Sequence, residues 1–129
     1  MALLCIQIQP NRAPGIDLNG IRNVAAQLAS TPFFNKYSEE EKNGVYINLL
    51  FDAVSTSQAW SLIYSTLYED ARISADLRRS SIATCQGQIG WEDYLLLHHF
   101  DPTVPRDRLT DRELQRSSVC RSSSRSETP

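Results

Sequence analysis

Apolar side chains alternate with polar ones in two segments of the chain. In residues 2–9 every even position is apolar, whereas Gln7 and Gln9 fall on the other side. The same period of two runs through Val45, Ile47, Leu49 and Phe51. A period of two is that of a half-buried strand, because successive side chains of a strand point to opposite faces. The pattern therefore predicts two strands, and we expect the second one to be a central strand with all four apolar residues in the core.

Two other segments have apolar residues at helical spacing. Asp17 is a suitable N-cap, and the apolar residues that follow it predict a helix over 17–29, which ends at Ser30-Thr31-Pro32. Ser55 and Gln58 have the spacing of a capping box and precede a helical face that predicts a second helix over 56–69. The apolar positions are Leu18, Ile21, Val24, Ala25 and Leu28 in the first helix, and Trp60, Ile63, Tyr64 and Leu67 in the second.

The remaining segments have weaker patterns. Residues 33–44 are predicted to be a connector with at most a single helical turn, which ends at Asn43-Gly44. Residues 80–86 favour a short strand, and 94–100 a second one that forms an antiparallel hairpin with it. Because residues 94–100 are rich in Leu on both faces, we expect this strand to be central in its sheet. Residues 71–79 are compatible with either a strand or a helix.

These elements predict an α+β fold with one domain, residues 1–101. The expected order is β-α-β-α-β-β, which gives a mixed sheet of about four strands with two main helices, mainly on one face. Ferredoxin-like folds have a similar order, which this one matches incompletely. Residues 102–129 are predicted to be a polar tail rich in Arg and Ser, with a short helix at 110–117 and disorder after Ser117.

Composition and charge narrow the classes of function. The 129 residues carry a formal net charge of −2, whereas nucleic-acid binding usually requires a basic face, so we expect no nucleic-acid partner. We expect no membrane span and no secretory signal, because no apolar run approaches about 20 residues and the start lacks a basic region. Cys5, Cys85 and Cys120 form no C-x-x-C pair, which favours reduced thiols in the cytoplasm.

Few residues are candidates for catalysis or metal binding. Cys85 with His98 or His99 is one candidate for a nucleophile and base, but a buried thiol and structural histidines are the more ordinary interpretation. Adjacent strand residues such as His98 and His99 point to opposite faces and do not bind one metal together. The segment from Gly87 to Gly90 lacks the lysine of a phosphate-binding loop, so it predicts a plain turn. The sequence therefore predicts no metal, no cofactor and no catalytic residue.

The best candidate for a partner-binding site is an aromatic–acidic segment next to the predicted 87–90 turn. It consists of Trp91, Glu92, Asp93 and Tyr94. Two acids would raise the negative potential, and an aromatic side chain can supply a buried anchor for a protein partner. Glu69 and Asp70 are the second candidates. The alternative is that these acids lie in solvated turns and that Trp91 packs in the core.

These observations lead to the hypothesis of a binding protein rather than an enzyme. In its most concrete form the chain is a small cytoplasmic inhibitor, an immunity protein that neutralises a basic bacterial toxin domain; this rests on an analogy between classes of protein. One alternative is a small regulatory or oligomeric α+β domain, such as a homodimer, that binds a metabolite. A further alternative is an enzyme that uses Cys85 with His98 or His99.

Overall fold

The alternating segments lie side by side in one antiparallel sheet. The computed structural model describes residues 2–69, 73–86 and 94–107. Within them the strands are β1 (Ala2–Ile8), β2 (Phe34–Lys42), β3 (Tyr46–Ala53), β4 (Ser81–Gln86) and β5 (Tyr94–His98). Their order across the sheet is β2-β3-β1-β4-β5, and every neighbouring pair is antiparallel. The fold is thus a small single-sheet α+β domain, which the expected count of about four strands and two main helices roughly fits, but the sheet is antiparallel and not mixed as predicted.

Helices cover one face of this sheet. They are α1 (Leu18–Ala29), α2 (Thr56–Ile63), which continues as a π-helical turn at Tyr64–Tyr68, and α3 (Ser74–Arg78); a short 3-10 turn at Pro10–Arg12 follows β1. The Asp17 side chain accepts a hydrogen bond from the Gly20 backbone N–H at 3.0 Å and so caps α1 as predicted. The wider π turn lets the consecutive residues Leu67 and Tyr68 both face the core.

The core lies between the helices and the even-numbered side chains of β1. Leu4, Ile6 and Ile8 are buried there with Ile47, Leu49 and Phe51 of β3, as the alternation predicted. The prediction that Val45 lies in the core is wrong, because Val45 lies in the turn before β3 and is 57% exposed. The helices add Ile21, Ala25, Leu28, Ala59, Ile63, Leu67, Tyr68 and Leu77 to the same cluster.

The predicted connector at 33–44 is the largest error in the predicted elements. Residues 34–42 form strand β2, and the chain reverses at Asn43 (φ 50°) and Gly44 (φ 74°) to enter β3. Positive φ at both central residues is the geometry of a type I′ hairpin turn, for which Asn-Gly is the preferred sequence. With β2 included, the order from β1 to β4 becomes the β-α-β-β-α-β of ferredoxin-like folds, and β5 is an additional strand at the edge.

The prediction that residues 94–100 form a central strand is also wrong, because β5 lies at the edge of the sheet. Its outer side is partly covered by the chain that follows it: Asp107 donates its backbone N–H to the Leu96 carbonyl at 2.7 Å, and its carboxylate accepts the Leu96 N–H at 2.7 Å. A covered edge strand tolerates apolar side chains that an open edge would not. The proposed domain limit at residue 101 stays a prediction, as do the helix at 110–117 and the disorder after Ser117, which lie outside the described residues.

Candidate functional site

The structure describes only part of each candidate acidic site. Gln86 and Tyr94, which flank the 87–93 segment, pair with each other at the end where β3 finishes with Ala53. Glu69 is exposed and directly follows Tyr68, whose hydroxyl is 2.7 Å from Ser81 Oγ at the other end of β4. Trp91, Glu92, Asp93 and Asp70 lie outside the described residues, so the aromatic–acidic segment stays a predicted contact site.

The candidate nucleophile Cys85 is buried in the core. Cys85 has no solvent exposure and lies on the helix-covered face, beside Leu4 and Leu95 in the strand register. Burial in an apolar environment disfavours the thiolate that nucleophilic chemistry requires. This location gives a substrate no direct access to the Cys85 thiol, so the geometry lends no support to the enzyme alternative.

The two histidines have different environments, in keeping with their adjacent positions in the sequence. His98 is 7% exposed, and its Nε2 lies 2.8 Å from the Arg78 carbonyl oxygen. Since a carbonyl oxygen can only accept, the proton resides on Nε2. Burial lowers the pKa of His98, and the nearby positive charges of Arg106 and Arg78 act in the same direction. The half-buried His99 accepts the Asp101 backbone N–H on Nδ1 at 3.0 Å. Among the described residues no cluster of three His, Cys, Asp or Glu is arranged to hold a metal ion.

A buried hydroxyl pair joins the π turn to the sheet. Ser81 Oγ donates to the Leu77 carbonyl oxygen at 2.6 Å, so the Tyr68 hydroxyl must donate its proton to Ser81 Oγ. Burial raises the pKa of Tyr68, which keeps the phenol neutral. The ring of Tyr68 stacks on Tyr64 and lies 4.7 Å from the imidazole of His98, measured between ring centroids. This cluster fixes the end of the helical crossover on the sheet.

One of the three consecutive acids of β2 is already paired. Arg22 of α1 donates from Nε to Glu39 Oε1 at 2.8 Å, and the Tyr37 hydroxyl donates to Glu39 Oε2 at 2.5 Å. Burial of the carboxylate favours its neutral form, but these two donors outweigh burial and lower the pKa of Glu39. Glu39 therefore ties α1 to the sheet, whereas Glu40 and Glu41 are exposed.

The β2–β3 hairpin combines exposed acids with an exposed apolar side chain. Val45 donates its backbone N–H to the Lys42 carbonyl at 2.8 Å, which closes the turn and holds Val45 outward. Glu40 and Glu41 precede the turn directly. We call this region, residues 40–46, the hairpin tip. It lies at the same end of the sheet as Ser81, because Ile8 pairs with both Ile47 and Ser81.

The second surface feature is the sheet face opposite the helices, which we call the open face. Side chains from all five strands lie on it in rows across the strands. The middle row is Ser38, Leu50, Cys5, Thr84 and Leu96; the row on one side starts Lys36, Asp52, Leu3, and the row on the other side is Glu40, Asn48, Gln7, Ile82. In the described residues no helix packs on this face.

Cys5 occupies the centre of the open face, halfway along the central strand. Burial among its neighbours raises the pKa of the Cys5 thiol to about 11, and the negative charge of Glu40 adds to the increase. The thiol is therefore protonated at neutral pH, which does not favour a nucleophile. Two acceptor atoms on the same face, Asn48 Oδ1 and Asp52 Oδ1, are shielded from solvent and have no hydrogen-bond partner among the described residues.

The sequence analysis identified neither the hairpin tip nor the open face, although the sequence contains a signal for the hairpin tip. Asn43-Gly44 before an alternating strand is a strong local indication of a hairpin, and it would have placed the acids of residues 39–41 on a strand beside a turn. The open face had no comparable signal, since its rows combine residues from five separate segments.

Comparison with known proteins assigns no function to this chain. No helix in the described part of the chain is long and apolar enough to cross a membrane. Comparison of the chain with protein-family models, with curated proteins and with solved structures found no significant match.

Proposed function

We propose that this chain acts by binding another protein, and that the hairpin tip is a contact surface. The observation that carries the proposal is the type I′ turn at Asn43-Gly44, which is followed by the 57% exposed Val45 and preceded, before Lys42, by the exposed acids Glu40 and Glu41. Exposed acids accelerate association with a basic partner, and an apolar side chain supplies area that can be desolvated.

The partner class that suits this surface is a protein with a basic binding site. In its concrete form the chain is an inhibitor, such as an immunity protein that covers the basic active site of a toxin. Glu69 lies at the same end of the sheet as the hairpin tip and would extend the acidic surface. The aromatic–acidic segment of Trp91, Glu92, Asp93 and Tyr94 remains the competing contact site.

The test measures binding to the protein encoded by the adjacent reading frame, expressed separately and immobilised. Glu41→Lys together with Val45→Ser should weaken binding by about tenfold or more and make the association rate less sensitive to salt. The matched control is Val54→Ser, because Val54 is 61% exposed but directly follows Ala53 at the other end of the sheet. That control should bind like the wild type.

A third variant, Glu92→Lys with Asp93→Lys, separates the two contact sites. Loss of binding in this variant alone would move the interface to the aromatic–acidic segment and contradict the role of the hairpin tip. Absence of binding by the wild-type chain, combined with no protection of cells that express the neighbouring protein, would contradict the inhibitor function itself.

A further inference from the structure

The open face carries a connected apolar band that no described element covers. Leu3 is 37% exposed on this face, and Leu50, Cys5, Ile82 and Leu96 are half-buried there. An antiparallel sheet can present one face to water, but that face is then usually polar. A band of apolar side chains in the middle of the face is typical of the core of an interface, with polar residues around it.

The charged residues of the open face are arranged so that the open faces of two copies complement each other. Consider a two-fold axis that runs across the strands through the middle row, at Cys5. Because this axis reverses the direction along the strands, it places the row of Lys36 opposite the row of Glu40 in the other copy. Each Lys36 then faces a Glu40 of the partner copy, and each Asp52 faces an Asn48 amide.

The same axis brings like apolar residues together. Residues of the middle row lie close to the axis, so Leu50 faces Leu50 of the other copy, and Cys5 and Leu96 do the same. An isologous interface of this kind uses one patch twice, as in most homodimers. The Asp52 Oδ1 atom, which has no partner among the described residues, would meet a donor at this interface.

The area of the face reaches the lower limit of a specific interface. Five strands spaced by about 4.8 Å are about 24 Å wide, and seven residues at about 3.3 Å each are about 23 Å long. The projected area is therefore roughly 550 Å² per copy, or roughly 1,100 Å² for two copies before the relief of the side chains is counted. Specific protein interfaces bury at least about 1,000 Å² in total.

We propose that two copies of this chain associate through their open faces, about a two-fold axis across the strands at Cys5. The hairpin turn and Glu41, on the other side of β2, stay outside this interface. The dimer would then present two hairpin tips to a partner. Glu40 belongs to both surfaces, so the two proposals are separated by Lys36, which belongs only to the dimer interface, and by Glu41, which belongs only to the hairpin tip.

The principal test measures molecular mass in solution by sedimentation equilibrium over a range of concentrations. The measured mass of the wild type should approach twice 14.6 kDa, the mass of one chain. Lys36→Glu and Glu40→Lys, made separately, should each weaken dimerisation by about tenfold or more, because each places like charges opposite one another twice. The double variant should restore dimerisation, and so should a mixture of the two single variants, in which opposite charges face each other again.

Glu41→Lys is the matched control, since this acid is on the same strand but on its other face, and it should leave the dimer unchanged. Circular dichroism melting curves establish that all variants are folded. A monomer at high micromolar concentration would overturn the proposal. So would a dimer that is insensitive to Lys36→Glu and Glu40→Lys, because it would use another surface.

Thiol labelling supplies a second measurement that needs no destabilising substitution. The proposed axis passes through Cys5, so association should bury this thiol, and a monofunctional maleimide should label Cys5 of the Cys120→Ser chain more slowly at a high chain concentration than at a low one. The same chain with Glu40→Lys should show no such difference. If dimers appear only after residues 108–129 are removed, the chain's own C-terminal segment covers the open face, and the proposal is wrong.

Discussion

The same strands contribute side chains to both faces of the sheet, but the two faces differ in burial and in composition. On β3, Leu49 is fully buried beneath the helices, whereas the next residue, Leu50, is half-buried on the open face. On β1, Ile6 and Cys5 have the same relationship. On β1 and β3 the helix-covered face is apolar along the whole strand, whereas the open face has an apolar middle with charged residues towards β2. The first composition is that of a core, and the second is that of a surface suited to association.

The largest expected effect comes from the pair Leu49 and Leu50. Leu49→Ala should lower the free energy of unfolding by about 2–5 kcal/mol, because it leaves a cavity in the core. Leu50→Ala should cost less than about 1 kcal/mol when urea unfolding is measured at a concentration where the chain is monomeric. Equal costs for the two substitutions would mean that the open face is covered within the monomer.

A smaller effect is expected from the hydroxyl of Tyr68 on the covered face. Tyr68→Phe keeps the ring contacts but removes the donor to Ser81 Oγ, which is buried. Loss of that hydrogen bond should cost about 1–2 kcal/mol in urea unfolding. Thr84→Val, on the open face, serves as a comparison and should change stability by less than about 0.5 kcal/mol. A Tyr68→Phe protein as stable as the wild type would contradict the assigned hydrogen bond.

The pH dependence of stability should identify His98. Its folded-state pKa lies below the ordinary 6.5, because burial disfavours the imidazolium. The unfolded chain therefore binds the proton more readily, and the free energy of unfolding should decrease as pH falls through about 6.5. Above that pH the contribution is fully present.

The substitution His98→Gln provides the control for this titration. It keeps an N–H donor for the Arg78 carbonyl but cannot titrate, so the decrease in stability just below pH 6.5 should become smaller. Urea unfolding at a series of pH values checks this, and an unchanged slope would assign the titration to another group.

The smallest expected effect comes from truncation after Ser117. The removed residues contain one Val and one Cys among polar side chains, so the melting temperature should change by no more than a few degrees. The rate at which Cys5 reacts with a maleimide should also stay the same. Faster labelling of Cys5 in the truncated chain would indicate that the C-terminal residues shield the open face.

Patterns within one element predicted most of the covered face. The alternation in β1 and β3 and the helical spacing in α1 are local, and burial against the helices follows from them, so Leu4, Ile6, Leu49 and Ile21 were predicted correctly. Strand β2 was missed because its Ser38 and Glu41 match a helix-capping pattern, while its exposed charges hide the strand period. Those charges suit an edge strand, where they discourage pairing with another chain.

The sequence by itself determined which side chains of β1 and β3 share a face, because that depends only on the period of two along each strand. Only the tertiary structure decided that β5 lies at an edge, that Glu69 follows the helical crossover at the Ser81 end of β4, and that Lys36 and Glu40 lie symmetrically about Cys5. The physical reason is strand pairing. Backbone hydrogen bonds place Leu3 beside Asp52, and Cys5 beside both Leu50 and Thr84, and no local pattern in the chain records which distant segment a strand will pair with.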